Sequence, residues 1–276
     1  MTAMGTLYLV ATPIGNLEDI SQRALRILGQ VSLIAAEDTR HTRKLLSHYQ
    51  IETPLISYHE HNKIVRLDQL LEALGLGEVA LVSDAGTPAV SDPGVEVVQA
   101  AWQAGHRVVP IPGPSAPIAA LVASGLATQP FLFLGFLPRQ ATKRRAVLEQ
   151  HARDPWTLVA FETPQRIGDA LEDLEAVMGP WRQVALCREL TKLHEEIVRG
   201  PVGEIRAQFD PEAKPGEYTL VIAGAVDDPR WQEDTVRAAI QDRLAHGDKP
   251  SSVARQIAKE SGWRRGEVYR ITLEEQ

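Results

Sequence analysis

The sequence predicts an α/β protein with two α/β domains, at 1–128 and 129–226, followed by a small helical, helix-turn-helix-like tail at 227–276. Three observations predict it. Short apolar strands alternate with helical patterns through the first half, and each strand ends in a polar loop shaped by Gly and Pro. The alternation restarts beyond Gln129-Pro130 to Pro138, and only helical periodicity remains at the end of the chain. Strand and helix alternating over short connections favour a parallel, doubly wound sheet over a barrel or sandwich.

The first strand, Leu7 to Ala11, runs into Thr12-Pro13-Ile14-Gly15-Asn16. Ile20, Ala24, Leu25, Ile27 and Leu28 then keep helical spacing, with Asp19 as the expected N-cap and Gly29 as the stop. Leu33 to Ala36 leads into Glu37-Asp38-Thr39-Arg40 and a helix over Thr39 to Tyr49, and a third strand precedes Tyr58-His59-Glu60-His61-Asn62. Val79 to Val82 reads as a buried strand ending in Ser83-Asp84-Ala85-Gly86-Thr87-Pro88, then Ser91-Asp92-Pro93-Gly94 and a helix over Val95 to Ala104. Val108 to Ile111 opens into Pro112-Gly113-Pro114-Ser115-Ala116 and a helix over Pro117 to Ser124. Four such junctions on one sheet point to a ligand, because open parallel sheets bind polar molecules beyond the carboxyl ends of their strands, where backbone amides and helix N-termini are free.

In the second half, Thr157 to Phe161 is a strand, and a helix with Thr163 as N-cap and Pro164 at its first position runs to Met178 before Gly179. Val184 to Cys187, Glu196 to Val198 and Tyr218 to Ala223 are further strands. From about Asp227 a charged helix precedes Pro250 to Leu273. There Val253, Ile257 and Ala258 form one apolar face, Gly262 the turn, and Val268, Tyr269 and Ile271 a second apolar group.

The chain of 276 residues, 44% of them hydrophobic, has length and apolar content for two cores. Its one cysteine, Cys187, allows no intramolecular disulfide, suits a reducing compartment, and reads as a buried structural thiol at a strand end. No apolar run approaches membrane-spanning length and no secretory leader is evident, which points to the cytoplasm. A net charge of −7 argues against wholesale nucleic-acid wrapping, yet cations cluster at Arg40, Arg43 and Lys44, at Arg139, Lys143, Arg144 and Arg145, and along the tail from Lys249 to Arg270. An acidic body that binds a polyanion must concentrate positive charge where the strand lies. No G-x-G-x-x-G follows the first strand, which weighs against a nicotinamide enzyme. His59 and His61 share a face if their segment is extended, but no third ligand stands at a recognisable spacing, so no metal is expected.

The segments Ala11 to Leu17, Ala36 to Arg40, Ser83 to Pro88, Pro112 to Pro114, Glu189-Leu190-Thr191-Lys192 and Gly216-Glu217 resemble those of the tetrapyrrole methylase superfamily over residues 5 to about 225. The resemblance is closest to its branch acting on ribosomal RNA. It implies a class III methyltransferase fold, a homodimer, S-adenosylmethionine held between the domains, and methylation of a cytidine ribose 2′-hydroxyl in the decoding region of 16S rRNA. The donor-binding residues it implies are Ser83, Asp84, Ala85, Gly86, Gly113, Ser115 and Ala116, joined by Pro13, and, from the second domain, Gly135, Leu190, Thr191, Gly216 and Glu217. Pro215 interrupts the Lys-Gly-Glu of relatives, which leaves Lys214 without an assigned role. A ribose hydroxyl is a poor nucleophile while protonated, so Glu60 and Asp38 are the candidate general bases, with Glu37 beside them. Arg40, Arg43, Arg144 and Arg145 are the candidate phosphate grips, on free RNA or on the small subunit. Two alternatives are a methylase of a tetrapyrrole precursor, against which the basic clusters and tail weigh, and a non-catalytic RNA-binding assembly factor, against which the intact loops weigh.

Overall fold

The structure is a computed structural model that describes residues 4–209, 215–225, 231, 233–246 and 248–274. Lys214 and Asp227 therefore lie outside the described residues. The chain forms two compact units, one to Gly224 and one from Ala225.

The first unit begins with five parallel strands, β1 (Thr6–Val10), β2 (Leu33–Ala36), β3 (Leu55–Ser57), β4 (Val79–Val82) and β5 (Arg107–Ile111), in the order β3-β2-β4-β1-β5. Helices α1 (Gln22–Gln30), α2 (Thr39–His48), α3 (Lys63–Leu76) and α4 (Val95–Gln103) connect them, and α5 (Ala116–Ser124) follows β5. Helices cover both faces of this sheet. On one face Ala24, Ile27 and Leu28 of α1 and Leu45 and Leu46 of α2 pack with Val10, Ile34, Ala80 and Val82. On the other, Leu70 and Leu74 of α3 and Val97 and Ala101 of α4 pack with Leu7, Ala35, Val79 and Leu81. All four residues of β4 are at most 2% exposed, which is why that strand is a continuous apolar run without alternation. Burying each of its larger side chains contributes about 1.5–3 kcal/mol.

A second sheet holds β6 (Phe131–Phe136), β7 (Thr157–Glu162), β8 (Gln183–Arg188), β9 (Glu196–Pro201) and β10 (Tyr218–Ile222), in the order β6-β7-β10-β8-β9. Only β6 and β7 pair in parallel; β10 runs antiparallel to β7 and β8, and β8 antiparallel to β9. The parallel pair has α6 (Ala141–His151) between its strands, whereas β8 and β9 are joined by a loop too short for a crossover, which forces the antiparallel arrangement. Helices α6, α7 (Ile167–Met178) and α8 (Val202–Gln208) cover one face, and α5 lies against the other, where Ala120 and Leu121 meet Val159, Ala185, Cys187 and Val221.

Several local expectations are corrected. Asp19 belongs to a single 3-10 turn, Leu17–Asp19, and the N-cap of α1 is Ser21, whose hydroxyl accepts from the Ala24 amide at 3.0 Å. Gly29 lies inside α1. Helix α7 starts at Ile167 rather than Pro164, because the Thr163 hydroxyl accepts from Arg166 Nε at 3.2 Å in a preceding turn instead of capping. The stretch expected as a bare boundary contains β6, an edge strand. Tyr269 is 41% exposed and does not join the apolar group of the tail.

The second unit holds α9 (Glu233–Ala245), α10 (Pro250–Ser261) and α11 (Arg265–Glu274) around their own core of Val236, Ile240, Val253, Ala254, Ile257, Val268 and Ile271. No helix among the described residues is long and apolar enough to cross a membrane.

Candidate functional site

A cavity of about 400 Å³ opens between the carboxyl edge of the first sheet and one end of the second. Each of the four expected loops of the parallel sheet contributes: Ile14 after β1, Glu37 after β2, Asp84 to Thr87 after β4, and Ser115 and Ala116 after β5. They meet because parallel strands all end at one edge, and β1, β4 and β5 are neighbours in the sheet.

The loops are fastened together by backbone bonds. Thr12 and Gly86 exchange amide bonds at 2.9 and 3.0 Å, the Thr12 hydroxyl donates to the Ser83 carbonyl at 3.2 Å, and the Thr87 hydroxyl donates to the Pro114 carbonyl at 3.2 Å. Gly86 has φ +79°, a turn that residues with a Cβ rarely adopt. Gly15 sits so close to the segment opposite that an added Cβ would fall 2.3 Å from the Lys192 side chain, so this glycine lets the loop after β1 reach the second half of the cleft. At the start of α5, Ser115 makes no side-chain cap bond, which leaves the first amides of that helix available to an anion.

Carboxylates crowd this half of the cavity. Asp84 Oδ1 accepts from the Asp38 amide at 2.9 Å, which fixes it at the end of β4. Burial, together with the charges of Glu37 and Asp84, pushes the Asp92 carboxyl up to about 6, and a hydrogen bond from Ser83 offsets this in part. Burial first, and then the Asp84 charge, raises the Glu37 carboxyl above its ordinary value as well. Glu37 and Asp92, raised in this way beside the Asp84 carboxylate, form a site that gains from a cation among them.

The second half supplies mostly apolar wall. Phe136, Phe161, Pro164 and Leu190 line it with Thr163 and Thr219, and the Phe136 and Phe161 rings lie 5.3 Å apart. At its rim Lys192 Nζ donates to Glu189 Oε1 at 2.8 Å and to Glu217 Oε2 at 3.0 Å, while the Glu217 amide donates to Glu189 Oε1 at 2.9 Å. Glu189 and Thr191 both hold positive φ, of 51° and 68°, a costly conformation that this network sustains. Glu162 also lines this half, and its Oε1 accepts from the Thr163 amide at 2.8 Å and from Arg166 Nη2 at 2.6 Å. Arg166 and Arg144 in turn bind carbonyls of Leu137, Pro138 and Arg139.

Of the expected donor residues, Asp84, Ala85, Gly86, Ser115, Ala116, Leu190 and Glu217 line the cavity. Pro13, Ser83, Gly113, Gly135, Thr191 and Gly216 do not. They shape it from behind, as when Gly113 packs on Ala11, Gly135 faces Ser91 and Gly216 lies against Glu189. Neither candidate base lies in the cavity wall. Asp38 spends its carboxylate on the Arg40 amide and guanidinium at 2.8 and 2.7 Å, which holds its ionised form well below the usual range. Glu60 is 66% exposed and paired with Lys63 at 2.8 Å. Glu37 lines the cavity instead, and Asp92, printed in the sequence in the same loop as Asp84, was missed as a site residue.

The four arginines separate sharply. Arg40, 85% exposed, and Arg43 stand on the surface of α2. Arg144 is buried and bound to Asp173 through Nε and Nη2 at 2.7 and 2.6 Å, so it holds α6 to α7 and cannot grip RNA; Arg145 Nε shares that Asp173 at 2.5 Å. His59 and His61 lie in a turn with ring centres 6.0 Å apart, and no group of three or more potential metal ligands occurs among the described residues. Cys187 is buried, and burial pushes its thiol up to about 11, the state of an unreactive core residue.

The family model described as Tetrapyrrole (Corrin/Porphyrin) Methylases matches residues 6–206, a span that holds both halves of the cavity except the Glu217 segment. The chain belongs to the tetrapyrrole methylase family. It is 47% identical over 274 residues to the ribosomal RNA small subunit methyltransferase I of Synechocystis sp., covering 98% of each chain. Among solved structures, a diphthine synthase superposes with TM-score 0.61 at 15% identity, over 97% of this chain and 100% of that one. A uroporphyrin-III C-methyltransferase from Thermus thermophilus, complexed with S-adenosylhomocysteine, gives TM-score 0.55 at 21% identity, over 79% of this chain and 97% of that one. This tetrapyrrole methylase family member is a methyltransferase whose donor is S-adenosylmethionine. The cavity fits such a molecule: carboxylates for its cationic groups, helix amides for its carboxylate and an aromatic slot for its adenine.

Proposed function

We propose that the chain transfers a methyl group from S-adenosylmethionine to the 2′-hydroxyl of a cytidine ribose in the decoding region of 16S rRNA. The observation that carries this reading is the near full-length likeness, at 47% identity, to a protein named for small-subunit ribosomal RNA methylation. The cavity supports it.

Asp84 and Asp92 would hold the ammonium and sulfonium end of the donor, the amides at Ser115 and Ala116 its carboxylate, and Phe136, Phe161 and Leu190 its adenine. Bound there, the donor supplies an electrophilic methyl group. Glu37 is the group placed to accept the ribose proton: it lines the cavity, and its raised pKa makes it a better base than a solvated glutamate. Holding the acceptor oxygen in line is the larger contribution, since positioning alone can supply roughly 7–11 kcal/mol of barrier lowering. Arg40 and Arg43, exposed on the helix that starts beside Glu37 and Asp38, would seat the RNA backbone at the mouth.

The test is mass mapping of methylated nucleotides in small-subunit rRNA from cells with and without the gene. The expected result is one cytidine that loses its ribose 2′-O-methyl group when the gene is removed. An unchanged methylation map would overturn the reading.

A further inference from the structure

The second unit carries a cationic face that neither the cavity nor its chemistry uses. Helices α10 and α11 are joined by the short turn Gly262 to Arg264, with Gly262 left-handed at φ +73°, and α9 braces them through the shared core. The Trp263 indole donates to the Trp231 carbonyl at 2.7 Å, which fixes the turn. This is a helix-turn-helix arrangement in which the last helix presents one side outward.

The charges on these two helices are sorted. Their carboxylates are spent internally: Glu260 on Arg243 of α9 at 3.1 Å, Glu274 on Arg237 of α9 at 3.1 Å, and Glu267 on the Arg264 amide at 3.1 Å. Arg255, Lys259, Arg265 and Arg270 are exposed and have no ion pair among the described residues. On α11, Arg265, Tyr269 and Arg270 fall on one outward side with Leu273, and Gly266 there has open space in front of it. Two unpaired guanidinium groups flanking a half-exposed tyrosine ring on a braced helix suit a phosphate backbone with a base or sugar to stack, whereas an acidic peptide would make no use of the ring.

We propose that this face of α11 is a second RNA contact, binding the phosphate backbone and adding affinity without taking part in methyl transfer. The inference rests on the reading of RNA as acceptor.

The experiment uses the full-length protein, with Arg265→Ala/Arg270→Ala, the conservative Arg265→Lys/Arg270→Lys, and Tyr269→Ala. Binding of protein-free 16S RNA is measured across a salt series, alongside calorimetry with S-adenosylhomocysteine and methyl-transfer kinetics. The alanine pair is expected to weaken RNA binding at least tenfold at low salt and to lower the slope of log K against log salt by roughly 1.4–1.8, the loss of two phosphate contacts. The lysine pair should keep most of the affinity, and donor binding and the rate at saturating RNA should stay at the wild-type level. Wild-type RNA affinity and salt slope in a folded alanine variant overturn the proposal. So does a loss seen only with the assembled subunit, which would move the contact to a protein. If the wild-type protein itself neither binds nor methylates the RNA, the acceptor reading fails first, and that outcome is separate from the other two.

Discussion

The two halves of the cleft are built on opposite principles. The half on the first sheet concentrates charge and free amides: Asp84, Asp92 and Glu37 at strand ends, and the open start of α5. The half on the second sheet offers mostly aromatic and aliphatic wall, and its charges are bonded to one another: Glu162, which lines the cavity, to Arg166, Lys192 at the rim to Glu189 and Glu217, and Arg144 to Asp173 between the helices. A parallel sheet delivers every strand end to one edge, so polar loops gather there. A mixed sheet delivers ends alternately, so its contribution depends on a scaffold that braces a few loops from behind. The first half therefore sets which groups of a ligand are recognised, and the second sets how well the ligand is enclosed.

The largest effect should come from breaking the scaffold of the second half. Asp173→Ala leaves the Arg144 guanidinium buried without its partner and should cost about 3–5 kcal/mol in urea unfolding. Arg145→Ala, removing the half-exposed partner of the same carboxylate, should cost far less. Equal costs would show that the two arginines are not distinguished by burial.

Breaking the charged half should act on the ligand and spare the fold. Asp84→Ala is expected to weaken S-adenosylhomocysteine binding about a hundredfold by calorimetry, roughly 2.7 kcal/mol, with an unchanged circular dichroism spectrum. Normal binding by that variant would remove Asp84 from the site.

The same half should give the cleft its pH dependence. The Asp92 carboxyl in the folded protein is raised from 3.8 to about 6, so between these values the folded state holds more proton than the unfolded chain, and stability from this group declines as pH rises through that window. A cationic donor reverses the preference by favouring the ionised form. Donor affinity should thus fall up to about tenfold per unit as pH drops below about 6, with proton uptake on release, and Asp92→Asn should flatten the profile. A wild-type affinity flat from pH 7 to pH 5 would contradict the arrangement.

The smallest effect belongs to the wall. Phe136 is 54% exposed in the open cleft, so Phe136→Ala should leave stability within about 0.5 kcal/mol and weaken donor binding by about fivefold, the loss of one stacking surface.

The same contrast explains what was legible in the sequence. Four of the five strands of the first sheet could be read as apolar runs ending in a special loop, and Asp84, Gly86 and Ser115 could be placed because each lies in the loop after such a run. Glu37 and Asp38 are adjacent in sequence, and only the fold decides between them: Asp38 turns to cap α2, while Glu37 stays at the cavity. Glu60 looked equally free until the pair with Lys63 was visible. Arg144 and Arg145 looked like one basic patch, yet a buried acid on another helix, Asp173, claims both. The antiparallel pairings of β10 could not be read either, since strand direction depends on partners distant in the chain.

The most direct test of the account is methyl transfer by the purified protein to 16S rRNA, with the modified nucleotide mapped by mass spectrometry and Asp84→Ala run beside the wild type. The account predicts one ribose 2′-O-methylated cytidine with the wild-type protein and far less of it with the variant at a donor concentration that just saturates the wild type. A methyl group on a base, no transfer to any form of the RNA, or full transfer by the variant would contradict it.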